Sequence, residues 1–400
     1  MRIELPREAQ RFGANLIHGV QKVYELDSGP ASDSHTYESA FVIKQVPYET
    51  TNEIEQQLAI VVPMKNERLR LLEGILFAIP HSCLTIVVSN SPRVPVDRYN
   101  MEKNAIENFG TFAKKSIVVV HQKNPVIAGA FAAAGYTEIL DEDGLIRDGK
   151  AEGMILGLML AWLAGKKYIG FVDADNYIPG AVFEYVRAYA AGFALSQSPY
   201  SMVRMLWHSK PKVVESNLYF VKYGRASVIT NDFINRLISY HTGFETDVVK
   251  TGNAGEHALT TNLALLLDYA AGYAIEPYHY INLIEKFGGI AESPHQEVMR
   301  QGIDVYQIES RNPHLHTPKG DKHVHSMISS SLQVIYHSTA ASPTLKHEIL
   351  VEMRRRRLIG RDEEPAPVTI YPALARINRD KFAEAIEGQS FATIVGNVKL

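Results

Sequence analysis

The chain has 400 residues, which suits one large domain with an appendage better than one ordinary domain. Hydrophobic residues make up 46% and charged residues 21%, the balance of a globular protein that buries its core without covalent staples. A net charge of −3 argues against nucleic-acid binding, and the single cysteine, Cys83, excludes an internal disulfide framework.

Residues 1–57 are mixed and polar, with FVIKQV (41–46) as a predicted strand, and read as an N-terminal extension packed on the domain that begins at residue 58. The opening, MRIELPREAQRF, has no apolar stretch of signal-peptide length. LAIVVP (58–63), TIVVS (85–89) and SIVVVHQ (116–122) are unbroken apolar runs of the kind buried on both faces in a parallel sheet. Helical spacing from Leu69 to Ile79 separates the first two runs. Cys83 lies in HSCLTIVVSN beside the second run and is read as a buried structural thiol. Residues 150–164 are predicted as a helix, KYIGFVDAD (167–175) as a strand and GAVFEYVRAYAAG as a helix. The most apolar window, MILGLMLAWLAG, spans about a dozen residues, short of the about 20 a bilayer requires, so no membrane partner is expected and the location is read as cytoplasmic. Alternating strands and helices indicate a doubly wound α/β sheet.

Further on, SMVRMLWH (201–208) and NLYFVKYG (217–224) read as a strand pair around a Lys/Pro turn, followed by a helix in ITNDFINRLIS. Another helix is predicted from near Gly255 through HALTTNLALLLDYAAG. YAIEPYHYINLI and DVYQIESRNPHLH are strand candidates. From Val324 the chain turns helical, and DEEPAP (362–367) marks a turn before a short tail. The basic run Arg354 to Arg357 reads as a solvated helix end, matched to the negative pole of the helix dipole.

The sharpest chemical signal is Asp173-Ala174-Asp175 after a buried strand. Ligands bind beyond strand C-termini in open α/β sheets. Two carboxylates so placed repel unless a divalent cation neutralises them, and a nucleotide-sugar diphosphate completes such a shell. A helix cap or a surface pair would look the same locally. Gly144 to Ala151 nearly matches a P-loop but has Ala151 where a metal-binding hydroxyl belongs. Lys150, between glycines 149 and 153, offers a cation to a phosphate or sugar. His314 and His316 form a HxH pair suited to a metal, whereas His323 and His325 are read as surface residues. Gly224, Arg225 and Ser227, just before a helix and following Tyr223, form a phosphate-binding set. Glu256, inside the glycine-rich TGNAGEH (251–257), is either a cap or a residue lining a site.

Six separated segments, in order over nearly the whole chain, resemble mannosyl-3-phosphoglycerate synthases: Val61 to Glu67, Val88 to Ser91, Gly149-Lys150 with Glu152 to Met154, Gly170 to Gly180, Thr251 to His257 and Asn312 to His316. The resemblance implies a GT-A glycosyltransferase fold, with a donor half (58–200), an acceptor half (201–323) and a helical C-terminal region (324–400). It implies transfer of mannose from GDP-mannose to D-3-phosphoglycerate with retention, on the route to the compatible solute mannosylglycerate. A divalent cation is implied, magnesium first and manganese as an alternative. Carried over by motif, Pro63, Lys65, Glu67 and Ser89 contact guanosine. Lys150 meets the donor, Asp173 and Asp175 its ribose, sugar and metal, with His314 or His316 as a further metal ligand. Asp173, Asp175 and Glu256 are the catalytic candidates, with Glu256 near the donor sugar as the one candidate nucleophile should retention use a covalent intermediate. Gly224, Arg225 and Ser227 hold the acceptor phosphate, by similarity to related glucosyl-3-phosphoglycerate synthases. Ala151 stands where relatives often have glycine and Leu315 where they have a larger aromatic; neither change removes a ligand. A metal-dependent phosphohydrolase and a non-catalytic nucleotide-sugar-binding protein are the rival readings of the same aspartates and histidines. A homodimer is left open.

Overall fold

The structure is a computed structural model, which describes residues 1–26, 43–214, 217–221, 224–316 and 320–400. The chain opens with strands β1 (Arg2–Glu4), β2 (Ala9–Phe12), β3 (Asn15–Glu25) and β4 (Ile43–Gln45) and helix α1 (Tyr48–Gln56). An alternating stretch comes next: β5 (Leu58–Met64), α2 (Leu69–Ala78), β6 (Leu84–Ser89), α3 (Arg98–Ala113), β7 (Ile117–His121), α4 (Pro125–Ala133), α5 (Lys150–Leu163), β8 (Tyr168–Phe171) and α6 (Pro179–Leu195). Then come β9 (Ser201–Leu206), β10 (Lys210–Val214), β11 (Asn217–Val221), α7 (Arg225–Thr242), β12 (His257–Thr260), α8 (Thr261–Leu266) and β13 (Tyr269–Ala270). α9 (Ile275–Phe287), α10 (Gln296–Gln301), β14 (Ile303–Glu309), α11 (Gly320–Tyr336), α12 (Pro343–Arg355), β15 (Ile370–Tyr371), α13 (Arg379–Ile386) and β16 (Ala392–Val395) complete it.

Among the described residues, one large sheet runs in the order β16-β7-β6-β5-β8-β12-β9-β14-β3-β1-β4, with β2 paired to β3. Strands β7, β6, β5 and β8 are mutually parallel, as the unbroken apolar runs required. Successive residues of these strands feed opposite faces. Ala59, Val61, Leu84, Ile86, Val118 and Val120 enter one core layer, while Leu58, Ile60, Val62, Val87, Ile117 and Val119 enter the other. Helix α5 lies in the first layer and α2 and α6 in the second. The approach of α5 to β5 is close enough that a Cβ on Gly157 would stand 2.3 Å from Val61 Cγ1, so only glycine fits there. The α/β class read from the sequence is thus the one observed, with the sheet mixed rather than wholly parallel. Cys83 is buried, and desolvation raises its thiol pKa. None of the described helices is long and apolar enough to cross a membrane.

Four local expectations change. Strand β9 does not pair with β11; it lies inside the large sheet between β12 and β14, and the Lys/Pro segment is itself strand β10, paired to β11. Residues 257–260 form strand β12 between β8 and β9, so the helix expected from Gly255 shrinks to α8, capped by the Thr260 hydroxyl accepting from Leu263 N–H. YAIEPYHYINLI is mostly helix α9, not a strand. FVIKQV yields β4 only at 43–45, with 41–42 outside the described residues. At the two chain ends, β3 pairs in parallel with β14, and β16 pairs with β7, so both termini contribute to the large sheet.

Candidate functional site

The parallel strands end together, and the loops beyond them surround a cleft of about 1120 Å³. Pro63, Lys65 and Glu67 follow β5, Lys150 opens α5, Asp173 and Asp175 follow β8, and Gly224, Arg225 and Ser227 open α7. His314 and His316, from the segment after β14, line the same cleft. Residues separated by up to 253 positions in the chain (63 to 316) therefore converge, as expected from the motifs. Ser89 and Glu256 do not line it. The Ser89 hydroxyl is buried and donates to Glu102 Oε2 at 2.8 Å, while Glu256 lies wholly buried behind the lining. The P-loop-like stretch is not one: it follows a short 3-10 turn rather than a strand. Tyr223 lies outside the described residues.

The aspartates lie past the end of β8, with Asp175 in a turn, and they face different partners. Asp173 Oδ1 is 2.6 Å from Lys150 Nζ, which also reaches Glu276 Oε1 at 2.7 Å. Glu276 occupies the first turn of α9, where the helix dipole favours a carboxylate. Burial works against the charge on Lys150, but Asp173 and Glu276 outweigh it and hold the ammonium well above its ordinary pKa. Bringing three charges together out of water seldom stabilises a fold relative to apolar replacements, so this triad points to ligand binding. Close packing is needed here: a Cβ on Gly255 would lie 2.7 Å from Asp173 Oδ2 and 3.1 Å from Lys150 Nζ. Beneath the triad, the buried Arg204 guanidinium donates to the carbonyls of Thr251, Gly252 and Glu276, tying the 251–255 loop to the start of α9.

Asp175 turns toward His316, with Oδ2 3.9 Å from Nδ1. A backbone bond from Tyr177 N–H to Leu315 O, 2.9 Å, holds their two segments side by side. The histidine segment is anchored by buried Glu184, which accepts from Arg311 N–H and from the amide and side chain of Asn312. His314 is different. It is buried, stacks on Trp207 at 4.3 Å and lies 3.9 Å from Glu256 Oε1. Burial, then Lys210 and His316, keep its imidazole neutral. His323 contacts Tyr273 edge-on at the far wall of the cleft, and His325 is exposed on α11.

Glu256 accepts from Asn176 Nδ2 at 3.0 Å, and its other oxygen has no partner among the described residues. Burial first, then the charge of Asp173, push its pKa up to about 8. No three His, Cys, Asp or Glu side chains converge as a closed metal cage among the described residues. Asp175 with His316 is instead a two-donor site. That set fits a hard divalent cation that takes its remaining ligands from substrate phosphates and water.

Residues not anticipated from the sequence also line the cleft: Trp207, Lys210, Tyr273, Glu276 and Asp321. Asp321 Oδ1 pairs with Arg225 Nη2 at 2.7 Å at the α7 end of the cleft. At the opposite end Asn90 Nδ2 donates to Asp148 Oδ1 at 2.9 Å, and Ser91 Oγ accepts from Asn66 N–H.

A family-wide sequence model for mannosyl-3-phosphoglycerate synthase matches residues 5–386. The chain belongs to the mannosyl-3-phosphoglycerate synthase family. It is 45% identical over 391 residues to the mannosyl-3-phosphoglycerate synthase of Pyrococcus furiosus, covering 98% of each chain. It is 35% identical over 376 residues to that of Aeropyrum pernix, covering 93% of this chain and 94% of the relative. As a member of this synthase family it is a glycosyltransferase, which disfavours the phosphohydrolase and purely binding readings. Solved structures are more distant. Glucosyl-3-phosphoglycerate synthase of Mycobacterium tuberculosis, in complex with Mn2+, UDP and glucosyl-3-phosphoglycerate, is 14% identical with a TM-score of 0.48, covering 83% of this chain and 97% of that one. Mannosyl-3-phosphoglycerate synthase of Rubrobacter xylanophilus is 14% identical with a TM-score of 0.44, covering 79% and 81%.

Proposed function

We propose that this glycosyltransferase moves mannose from GDP-mannose to D-3-phosphoglycerate with retention at the anomeric carbon, using a divalent cation held by Asp175 and His316. The observation that carries the reading is the single cleft joining a nucleotide end at Pro63, Lys65 and Glu67, the aspartate turn, and a cationic helix start at Gly224, Arg225 and Ser227. Lys150, steered by Asp173 and Glu276, faces the donor between those ends. Magnesium is the first choice, with manganese compatible with the same oxygen and imidazole donors. When bound, the cation supplies Lewis-acid stabilisation for charge on the departing diphosphate.

The protein's own contribution is positioning. Arg225, the Ser227 hydroxyl and the first amides of α7 hold the acceptor phosphate. Lys150 stabilises charge on the donor side. A double displacement requires an ionised carboxylate next to the sugar. Glu256 is shielded from the cleft and burial disfavours its ionised form, which favours same-face attack by the acceptor hydroxyl. Both substrates are multiply charged and do not cross a bilayer unaided, which favours the cytoplasm as the place of reaction.

The test is incubation with GDP-mannose, magnesium or manganese, and D-3-phosphoglycerate, followed for GDP, free phosphate and a phosphorylated glycoside. Acceptor-dependent GDP release with an α-mannoside by NMR is the expected result. Free phosphate without glycoside, or binding without turnover, refutes the proposal.

A further inference from the structure

The cleft contains an ammonium that the sequence motifs do not assign. Lys150 is paired with Asp173 and Glu276, and Arg225 with Asp321. Lys65 is exposed. Lys210, at the start of β10, is partly buried and lines the cleft, yet it forms no ion pair or side-chain hydrogen bond among the described residues. Its Nζ lies over the Trp207 ring, 4.4 Å from the centroid. Burial lowers its pKa, and the charges of Glu256, Asp173, Asp175 and Glu276 oppose that without cancelling it. A partly desolvated cation without a counter-ion is costly unless a ligand supplies one.

Its location is built from both sides. Trp207 stacks on His314, and the His314 amide donates to Ser209 O at 2.9 Å, so β10 starts against the segment that carries His316. On the other side, a Cβ placed on Gly224 would be 3.8 Å from Lys210 Nζ and 3.7 Å from the Ser227 hydroxyl. The ammonium thus stands between the helix start proposed for the acceptor phosphate and the Asp175–His316 pair.

The proposed acceptor has two anionic ends. Its phosphate has Arg225 and the α7 amides, while its carboxylate is attached to the carbon bearing the only alcohol. We propose that Lys210 binds the carboxylate of the three-carbon acceptor and so orients the neighbouring hydroxyl toward the donor sugar. A lysine suits this task because a carboxylate held at one end needs a compact charge rather than a planar fork. Lys210 is in this reading the residue that distinguishes a phosphorylated hydroxy acid from a phosphorylated polyol. The inference rests on the acceptor assignment under Proposed function.

The experiment compares D-3-phosphoglycerate with a glycerol phosphate of the same handedness at the hydroxyl-bearing carbon, which has CH2OH in place of the carboxylate. Wild type, Lys210→Met, Lys210→Gln and Lys210→Arg are assayed with GDP-mannose, and thermal melting and GDP-mannose binding establish that each variant is folded. The expected result is a rise of about ten- to a hundredfold in KM for D-3-phosphoglycerate in the Met and Gln variants, the scale of a lost charge-assisted contact. KM for GDP-mannose should stay unchanged, the preference for the carboxylate-bearing acceptor should collapse, and arginine should restore part of it. Equal losses on both acceptors would mean that Lys210 meets the phosphate. A rise confined to GDP-mannose would place it on the diphosphate. Either result overturns the proposal. Failure of the acceptor assignment shows separately, as wild type that transfers nothing to D-3-phosphoglycerate.

Discussion

Arg225→Ala isolates the acceptor phosphate, because Arg225 has an internal competitor. In the free protein its guanidinium pairs with Asp321, and the two side chains are 55% and 74% exposed. Such an exposed pair contributes only about 0–1 kcal/mol. A phosphate that displaces Asp321 gains charge-assisted hydrogen bonds of about 1.5–3 kcal/mol, reinforced by the amides at the start of α7. Taking middle values, about 2 gained less about 0.5 lost leaves about 1.5 kcal/mol, or roughly a tenfold rise in KM for D-3-phosphoglycerate in the alanine variant. KM for GDP-mannose should hardly change, and the preference for 3-phosphoglycerate over unphosphorylated glycerate should fall. Asp321→Asn removes the competitor, so it should lower the acceptor KM by up to about fivefold, and only when Arg225 is present. Steady-state kinetics on the two single variants and the double variant measure that coupling. If Asp321→Asn has the same effect with and without Arg225, or if Arg225→Ala keeps its preference for the phosphorylated acceptor, the phosphate is held elsewhere.

Two further predictions concern the aspartate turn and the residues around it. His316→Ala and Asp175→Ala should each weaken activation by magnesium or manganese at least about tenfold, whereas His314→Ala should mainly lower thermal stability through loss of its stack on Trp207; metal titrations of activity beside melting curves separate the two, and a metal defect confined to His314→Ala reverses the assignment. Glu256 has its pKa raised from 4.5 to about 8, so its contribution to stability is fully present below 4.5 and is lost as pH rises through 8. In metal-free protein, wild type should therefore lose stability across that window relative to Glu256→Gln, which should also keep most of its turnover. Parallel melting profiles against pH, or a glycosyl-enzyme intermediate trapped on Glu256, would show that the group is an ionised nucleophile.

The donor-side sheet was legible because its strands are buried on both faces. Burial on both faces leaves no polar alternation, and β5, β6 and β7 appear as short apolar runs between helix-length segments. The same burial misled where the element was a helix. Helix α9 is buried continuously from Ile275 to Ile284, so it lacks the polar stripe that marks a surface helix, and its tyrosines and isoleucines resemble a strand. Residues 257–266 failed for the opposite reason. One apolar run is divided between a strand and a helix, and the division depends on Thr260 serving as cap and on partners in β8 and β9.

The site shows a similar division between what is local and what is not. Asp173, Asp175, Lys150, Arg225 and the HxH pair stood out as candidates because each carries its chemistry within a few residues. Their partners are remote. Glu276 lies 126 positions from Lys150, and Asp321 lies 96 from Arg225. Lys210 gave no signal at all within its Lys/Pro segment, since its role depends on Trp207 and on the start of α7. Glu256 shows why position alone does not assign a role. A glutamate in a glycine-rich loop beside the aspartates suggests an ionised catalytic group, but burial near Asp173 favours the protonated form instead. Protonated, it can donate a hydrogen bond without adding a third negative charge beside Asp173 and Asp175. That leaves those two carboxylates free to share the available cations, Lys150 for Asp173 and the proposed metal for Asp175. A glutamate ionised at that point would compete for both, so on the proposed reading the burial of Glu256 also protects the charge balance of the aspartate turn.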